Sequence, residues 1–235
     1  MNILKEKLGN ISGGRILDVA TGDGSFINLL INNLKDYTEV IGIDSDIDAI
    51  EQSRRSFQNN KISFALTSGN RLEYEDTSFD TVAISNSLHH LGNIDETLNE
   101  MLRVLRPGGT FIINELFCDK QNEKQLTHTL FHHLQADVDT LLGITHNKTL
   151  KKQEIIDIAN SLQFKEVVCF VHENEMFNKY VRPDKFADRY RGILDKLSNH
   201  AEYDSFRATL NELIERLNLV GVEFSSQVMI IGEKY

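Results

Sequence analysis

The sequence predicts an α/β fold built on a doubly wound, mostly parallel sheet, and three observations carry that expectation. The first is Arg15-Ile-Leu-Asp-Val19, a short run followed closely by Gly22 and Gly24, which reads as a buried strand turning sharply into a helix. The second is Glu39-Val-Ile-Gly-Ile-Asp44, another buried-strand pattern, whose terminal acid lies 20 residues beyond Gly24. A carboxylate about 20 residues after a glycine turn is the spacing at which dinucleotide-binding folds hold ribose hydroxyls. The third is the alternation of helical and strand patterns through residues 15 to 116, which indicates helices on both faces of a parallel sheet.

Taken in order, a short helix fits Ile3 to Leu8 before Gly9, Gly13 and Gly14 break it. Side chains at Gly22 or Gly24 would keep backbone N–H groups from approaching a ligand. The helix Ser25 to Leu34 would aim its partly positive N-terminus at the same place. A helix at Ile47 to Phe57, strands at Ile62 to Leu66 and Thr81 to Ser85, a helix at Ile94 to Leu105 and a strand at Thr110 to Leu116 follow. Arg106-Pro-Gly-Gly109 ends the helix before that last strand. Glu115 should emerge at the carboxyl edge of the sheet, where open α/β folds bind their ligands.

Residues 117–148 form a helical insertion with Leu126, Leu130, Leu134, Val138 and Leu141 on one stripe, and its start above the active edge makes it a lid. His128 and His132 share the opposite face near Asp139, which raises a metal pair, but the expectation is a solvated polar face and no metal. His133, at the edge of the stripe, would approach the pocket. Thr149 can cap a helix to Leu162, and the strand Lys165 to Val171 follows with Cys169 in its core. Residues 173–220 form a second helical insertion. One stripe is Phe186, Tyr190, Ile193, Leu194 and Leu197; the other is Tyr203, Phe206, Leu210, Leu213, Ile214 and Leu217. They pack on the core or on each other, as a pocket wall or a dimer surface, and a strand at Gln227 to Gly232 closes the chain as one domain, 1–235.

The motifs Leu17-Asp-Val-Ala-Thr-Gly-Asp-Gly24, Gly42-Ile-Asp44, Phe79-Asp-Thr-Val82, Leu88-His-His-Leu91 and Leu105-Arg-Pro-Gly-Gly109 resemble the class I S-adenosylmethionine-dependent methyltransferases. The branch is that of small-molecule enzymes such as the ubiquinone and menaquinone methyltransferases. The resemblance implies a Rossmann-like sheet of seven strands, the last one antiparallel and inserted beside the fifth. It implies cofactor contacts at Asp18, Ala20, Thr21, Gly22, Gly24, Asp44, Ser45, Asn70, Arg71 and Asn86. Ala20 stands where the family often has glycine, and Asn70 where it usually has an acid that accepts from the adenine amino group; an amide oxygen can accept the same bond. The loop Ser85 to Leu91 would lie beside the transferred methyl. Glu115, His89 and His133 are the candidates for a general base, needed only if the acceptor keeps its proton at neutral pH.

Composition narrows the partners. The 25 basic against 35 acidic residues give a net charge of −10, with no basic run longer than a pair, which argues against bulk nucleic acid as substrate. Pro107 and Pro183 are the only prolines, so the Asn/Asp-Pro-Pro-aromatic motif of base-amino methyltransferases is excluded. Cys118 and Cys169 lie in no metal-binding spacing. With no apolar run near 18 residues, a cytoplasmic protein, monomer or homodimer, is expected, with no membrane contact. Two rivals remain. A nicotinamide-dependent oxidoreductase would share the glycine turn and Asp44, but the third glycine of its fingerprint would fall at Ile27. A regulatory subunit that binds the cofactor without turnover would keep the same residues.

Overall fold

A computed structural model describes residues 3–235. Its centre is a seven-stranded sheet of order β3-β2-β1-β4-β5-β7-β6. The strands are β1 (Arg15–Val19), β2 (Glu39–Asp44), β3 (Ile62–Leu66), β4 (Phe79–Ser85), β5 (Leu105–Leu116), β6 (Glu166–His172) and β7 (Gln227–Glu233). The first five pair in parallel, and β7 runs antiparallel between β5 and β6, as the family resemblance implies.

The near-continuous apolar character of the central strands follows from burial on both faces. Along each strand successive side chains alternate faces. Leu17, Val82 and Ile113 join one core with α4 (Ile94–Val104) and α6 (Lys152–Ser161), while Ile16, Ala83 and Ile112 join the other with α1 (Ile3–Leu8), α2 (Ser25–Asn33) and α3 (Ile47–Ser56). Helix starts are set locally: Asp46 caps α3, accepting from the Asp48 N–H, and Asn93 caps α4, accepting from Glu96. Each cap is worth about 0.5–2 kcal/mol.

Helix α5 (Glu123–Leu141) begins with a reciprocal capping box between Asn122 and Gln125. It packs with α8 (Pro183–Asp195) and α9 (Tyr203–Val220) into a third apolar cluster containing Phe131, Leu134, Val138, Phe186, Tyr190 and Leu213. The two insertions therefore bury their stripes against each other and form a helical layer. Leu126 and Leu130 are only half-buried, and Leu141 is exposed.

Three local expectations are corrected. Arg106-Pro-Gly-Gly109 lies inside β5, with an irregular register between Phe79 and Thr81 on β4, and Arg106 pairs with Asp80. The helix α6 begins at Lys152, whose N–H donates to Asp119 rather than to Thr149, because Thr149 is committed to His133. Cys169 is exposed, since β6 is the edge strand and most of its side chains face outward. A short helix, α7 (Glu175–Tyr180), has no counterpart in the sequence reading. Among the described residues no helix is long and apolar enough to cross a membrane.

Phe131 tests whether the helical layer folds with the sheet. Its ring is fully buried, 5.1 Å from Phe186 and 4.8 Å from Tyr190 between ring centres. Phe131→Ala should cost about 3–5 kcal/mol in denaturant unfolding. An unchanged midpoint would show that this layer lies outside the cooperative unit.

Candidate active site

At the end of β1 the chain makes the glycine turn. Thr21 donates its hydroxyl to Asp18 Oδ2 at 2.6 Å, and its N–H to the carbonyl of Ile43 at 2.9 Å. Gly22 has φ +54°, and a Cβ there would project into open space. Its N–H donates to Asp44 Oδ2 at 2.9 Å and its carbonyl accepts from Ser53 Oγ at 2.7 Å. At φ +79° the Cβ of a residue at Gly24 would lie 2.6 Å from the Phe57 ring, so packing against the end of α3 also requires the glycine. Ala20 holds the left-handed region at φ +54° despite its side chain, a local strain of the kind that collects at binding sites.

Asp44 keeps both oxygens in use but not exhausted. Oδ2 accepts from Gly22 and Oδ1 from Asp46, one bond each, which leaves about two of the carboxylate's roughly four acceptor sites. Asp46, not Asp44, caps the next helix. Asp18 is 1% exposed, and its Oδ1 has no hydrogen-bond partner among the described residues. Burial pushes its carboxyl up to about 7 against the lowering effect of Thr21.

Ala20, Asp44, Ser45 and Asn70 open onto a cavity of about 330 Å³ at the carboxyl ends of β1, β2 and β3, closed on the other side by His90 and Asn93. Asn70 accepts from Ser68 Oγ at 2.6 Å. Of the ten residues the family resemblance implies, Asp18, Thr21, Gly22, Gly24, Arg71 and Asn86 are not among those that line it. Arg71 is exposed and does not line the cavity. Asn86, at φ +49°, uses its amide oxygen to accept from Leu116 N–H and Gln227 Nε2. It ties β4 to β5 and β7, which is a scaffold role.

Beside the cavity lies a buried cluster of imidazoles. Glu115, 1% exposed, accepts at Oε2 from the Ser87 and Leu88 N–H groups and at Oε1 from His89 Nδ1 at 2.8 Å. His89 Nε2 lies 3.1 Å from His132 Nε2, which lies 3.2 Å from His146 Nε2. His146 Nδ1 is in turn held by Asp139 at 2.7 Å. Asn147 secures the loop by donating its N–H and Nδ2 to the His89 carbonyl. Burial lowers the pKa of His132 and His146, so both rings are neutral at pH 7.

The expected solvated face of α5 is thus inverted: His128 is 5% exposed, with Nδ1 on Ser225 Oγ, and His132 enters the cluster. The polar face docks on the sheet edge because its partners are polar too. His133, a candidate base, turns the other way, to Thr149 and a second cavity bordered by Leu130, Asp137 and Ser205. It does not join Glu115 and His89. The sequence reading missed His146, although six of the eight histidines fall between positions 89 and 146.

A family model described as a methyltransferase domain matches residues 10–160, and the chain belongs to that family. An O-methyltransferase of Aspergillus nomiae is 28% identical over 165 residues, covering 66% of this chain and 72% of its own. A demethylmenaquinone methyltransferase of Bacteroides fragilis is 33% identical over 106 residues, 43% of each chain. This chain therefore spans less than half the length of that quinone enzyme. Among solved structures, the [4+2]-cyclase SpnF superposes with a TM-score of 0.61 at 16% identity, covering 99% of this chain and 80% of its own. That likeness shows the fold alone. Strand order, glycine turn and family together define a class I S-adenosylmethionine-dependent methyltransferase of the small-molecule type.

Asp18 yields a test of sign. A carboxyl raised in the folded state costs no stability below its ordinary range near 3.8, and costs progressively more up to about 7. That gap corresponds to on the order of 4 kcal/mol at most, at ~1.36 kcal/mol per pH unit. Asp18→Asn should raise the melting temperature of the ligand-free protein at pH 8, with the gain vanishing toward pH 4. An equal difference at both pH values would rule out a raised carboxyl.

Proposed function

We propose that the chain binds S-adenosylmethionine in the 330 Å³ cavity and transfers its methyl group to a small acceptor on the side of His89 and His90. The observation that carries this is the charge of the wall. Asp44 faces the cavity, and among the described residues that line it none is Lys or Arg. An acidic wall favours a cationic sulfonium and opposes a pyrophosphate, which disfavours the nicotinamide reading.

When bound, the cofactor supplies a methyl that is already electrophilic. The chain's residues then have to orient and exclude water, and orientation supplies about 7–11 kcal/mol of such a barrier. Asp44, with two free acceptor sites, holds the ribose. Ser45 and Asn70 take polar edges. Glu115 is too occupied to act as a free base: three donors already use its carboxylate, so it positions His89 by holding Nδ1–H. The insertion at 117–148 covers the acceptor side through His132, His146 and Asn147, and this supports its reading as a lid within one working domain.

S-adenosylhomocysteine should raise the melting temperature, by about 2.7 kcal/mol of stabilisation at a hundredfold excess over Kd, and NAD should not. Asp44→Ala removes charge-assisted bonds worth about 1.5–3 kcal/mol each, so calorimetric affinity for S-adenosylhomocysteine should fall at least about tenfold while the protein stays folded. Unaltered affinity would displace the ribose from Asp44. Hydrogen exchange tests the lid: Leu126 to Leu142 should exchange faster than Ile16 to Val19 and slow on ligand binding, and equal protection in all states would remove it.

A further inference from the structure

We infer that His89, His132 and His146 form a binding site for a divalent transition metal of the zinc class. Three segments distant in sequence bring one ring nitrogen each to the same point: the 3₁₀ turn Leu88–His90, the middle of α5, and the loop after it. The three ligand nitrogens lie within 4.8 Å of one another. Two of the three spacings, 3.1 and 3.2 Å between Nε2 atoms, are close to what a metal requires. Nitrogens bound at 2.0–2.1 Å with tetrahedral angles sit about 3.3–3.4 Å apart.

The proton arrangement argues in the same direction. Glu115 and Asp139 accept from the Nδ1 atoms of His89 and His146, and an ionised carboxylate can only accept. In the tautomer with its hydrogen on Nδ1, each of these rings presents a lone pair at Nε2. His132 Nε2 carries at most one hydrogen, so it can donate along only one of its two short contacts. The other sets two lone pairs about 3 Å apart inside the protein, which is unfavourable unless a cation lies between them. A carboxylate on the far nitrogen of a ligating imidazole is also how metal sites fix ring orientation and raise ligand basicity. Here two of the three rings have one.

The ligand set selects the metal class. Three imidazoles with no thiolate suit zinc, copper, iron or nickel rather than calcium or magnesium, and three protein ligands leave a position open for water or an oxygen ligand. His90, which lines the donor cavity, packs tilted against His146 at 4.1 Å and against His89 at 4.3 Å between ring centres. The site is thus one ring away from the donor pocket. Eight histidines with six between 89 and 146 are the sequence signal, but only the fold shows which three converge.

The test is calorimetric titration of the full chain, stripped with chelator, with Zn²⁺ and no cofactor, with Co²⁺ absorption as a second readout. One equivalent should bind per chain, with Co²⁺ bands in the visible. His132→Ala should weaken Zn²⁺ at least about 100-fold and abolish those bands, and Asp139→Asn, which keeps all three ligands, should weaken it about 10–100-fold. Far-UV circular dichroism and a cooperative thermal melt of both variants, without cofactor, report whether they are folded. No stoichiometric Zn²⁺ binding, or wild-type affinity in both variants, overturns the site. Because the metal arm omits the cofactor, failure of S-adenosylhomocysteine binding alone would count against the methyltransferase reading and leave the metal site standing.

Discussion

A carboxylate that is 1% exposed must have its charge met by donors, and Glu115 meets this demand by organising everything at the edge of the sheet. Its Oε2 takes the first N–H groups of the turn after β4, and its Oε1 takes His89. Removing it would leave buried backbone donors unpaired at about 1–3 kcal/mol each. The turn could then no longer present His89 to one side and His90 to the other. β5 can deliver this group because it runs beside β4 in register, Ser85 opposite Asn114, so the residue after Asn114 reaches just past the end of its neighbour.

The helical layer depends on that placement. α5 has an apolar side that packs on α8 and α9 and a polar side that carries Gln125, His128 and His132 against the sheet edge. Burying so many polar groups is tolerable only because each finds a partner: Gln125 in Glu173 and Ser226, His128 in Ser225, His132 in the imidazole cluster. The two insertions, far apart in sequence, form one body because neither buries its stripe alone.

The parallel half of the sheet was legible because its signals are local: a run of apolar residues, a glycine turn, an acid at a fixed distance. Asp44 could be placed at the end of β2 from the same signals, and Ala20 from the family resemblance. What escaped was set by distant contacts. His146 sits in a loop without periodicity, and the choice between a solvated and a buried face for His128 and His132 depends on Ser225 and His89, about 97 and 43 residues away. Contacts at Asn86 and Gly24 were hidden for a related reason: the Asn86 amide oxygen accepts from Leu116 and Gln227, and the Phe57 ring fills the space beside Gly24. A motif shows that a residue type is needed there, not which neighbour needs it.

The two halves of the site differ in charge, and that difference has a physical purpose. On the donor side Asp44 faces the cavity, with no Lys or Arg among the described lining residues, which lowers the energy of a positive ligand. On the other side stand rings that burial keeps neutral, His132 and His146 among them. Were those imidazoles protonated, they would repel a sulfonium at close range, and in a low-dielectric site that repulsion would be poorly screened. Keeping the rings neutral removes the repulsion and leaves their lone pairs free to hold a ligand atom. Burial keeps His146 neutral against the opposing pull of Asp139, and the carboxylates of Glu115 and Asp139, by accepting at Nδ1, turn the Nε2 face of each ring toward the cluster, so the same two acids that order the loops also decide which face of each ring is basic.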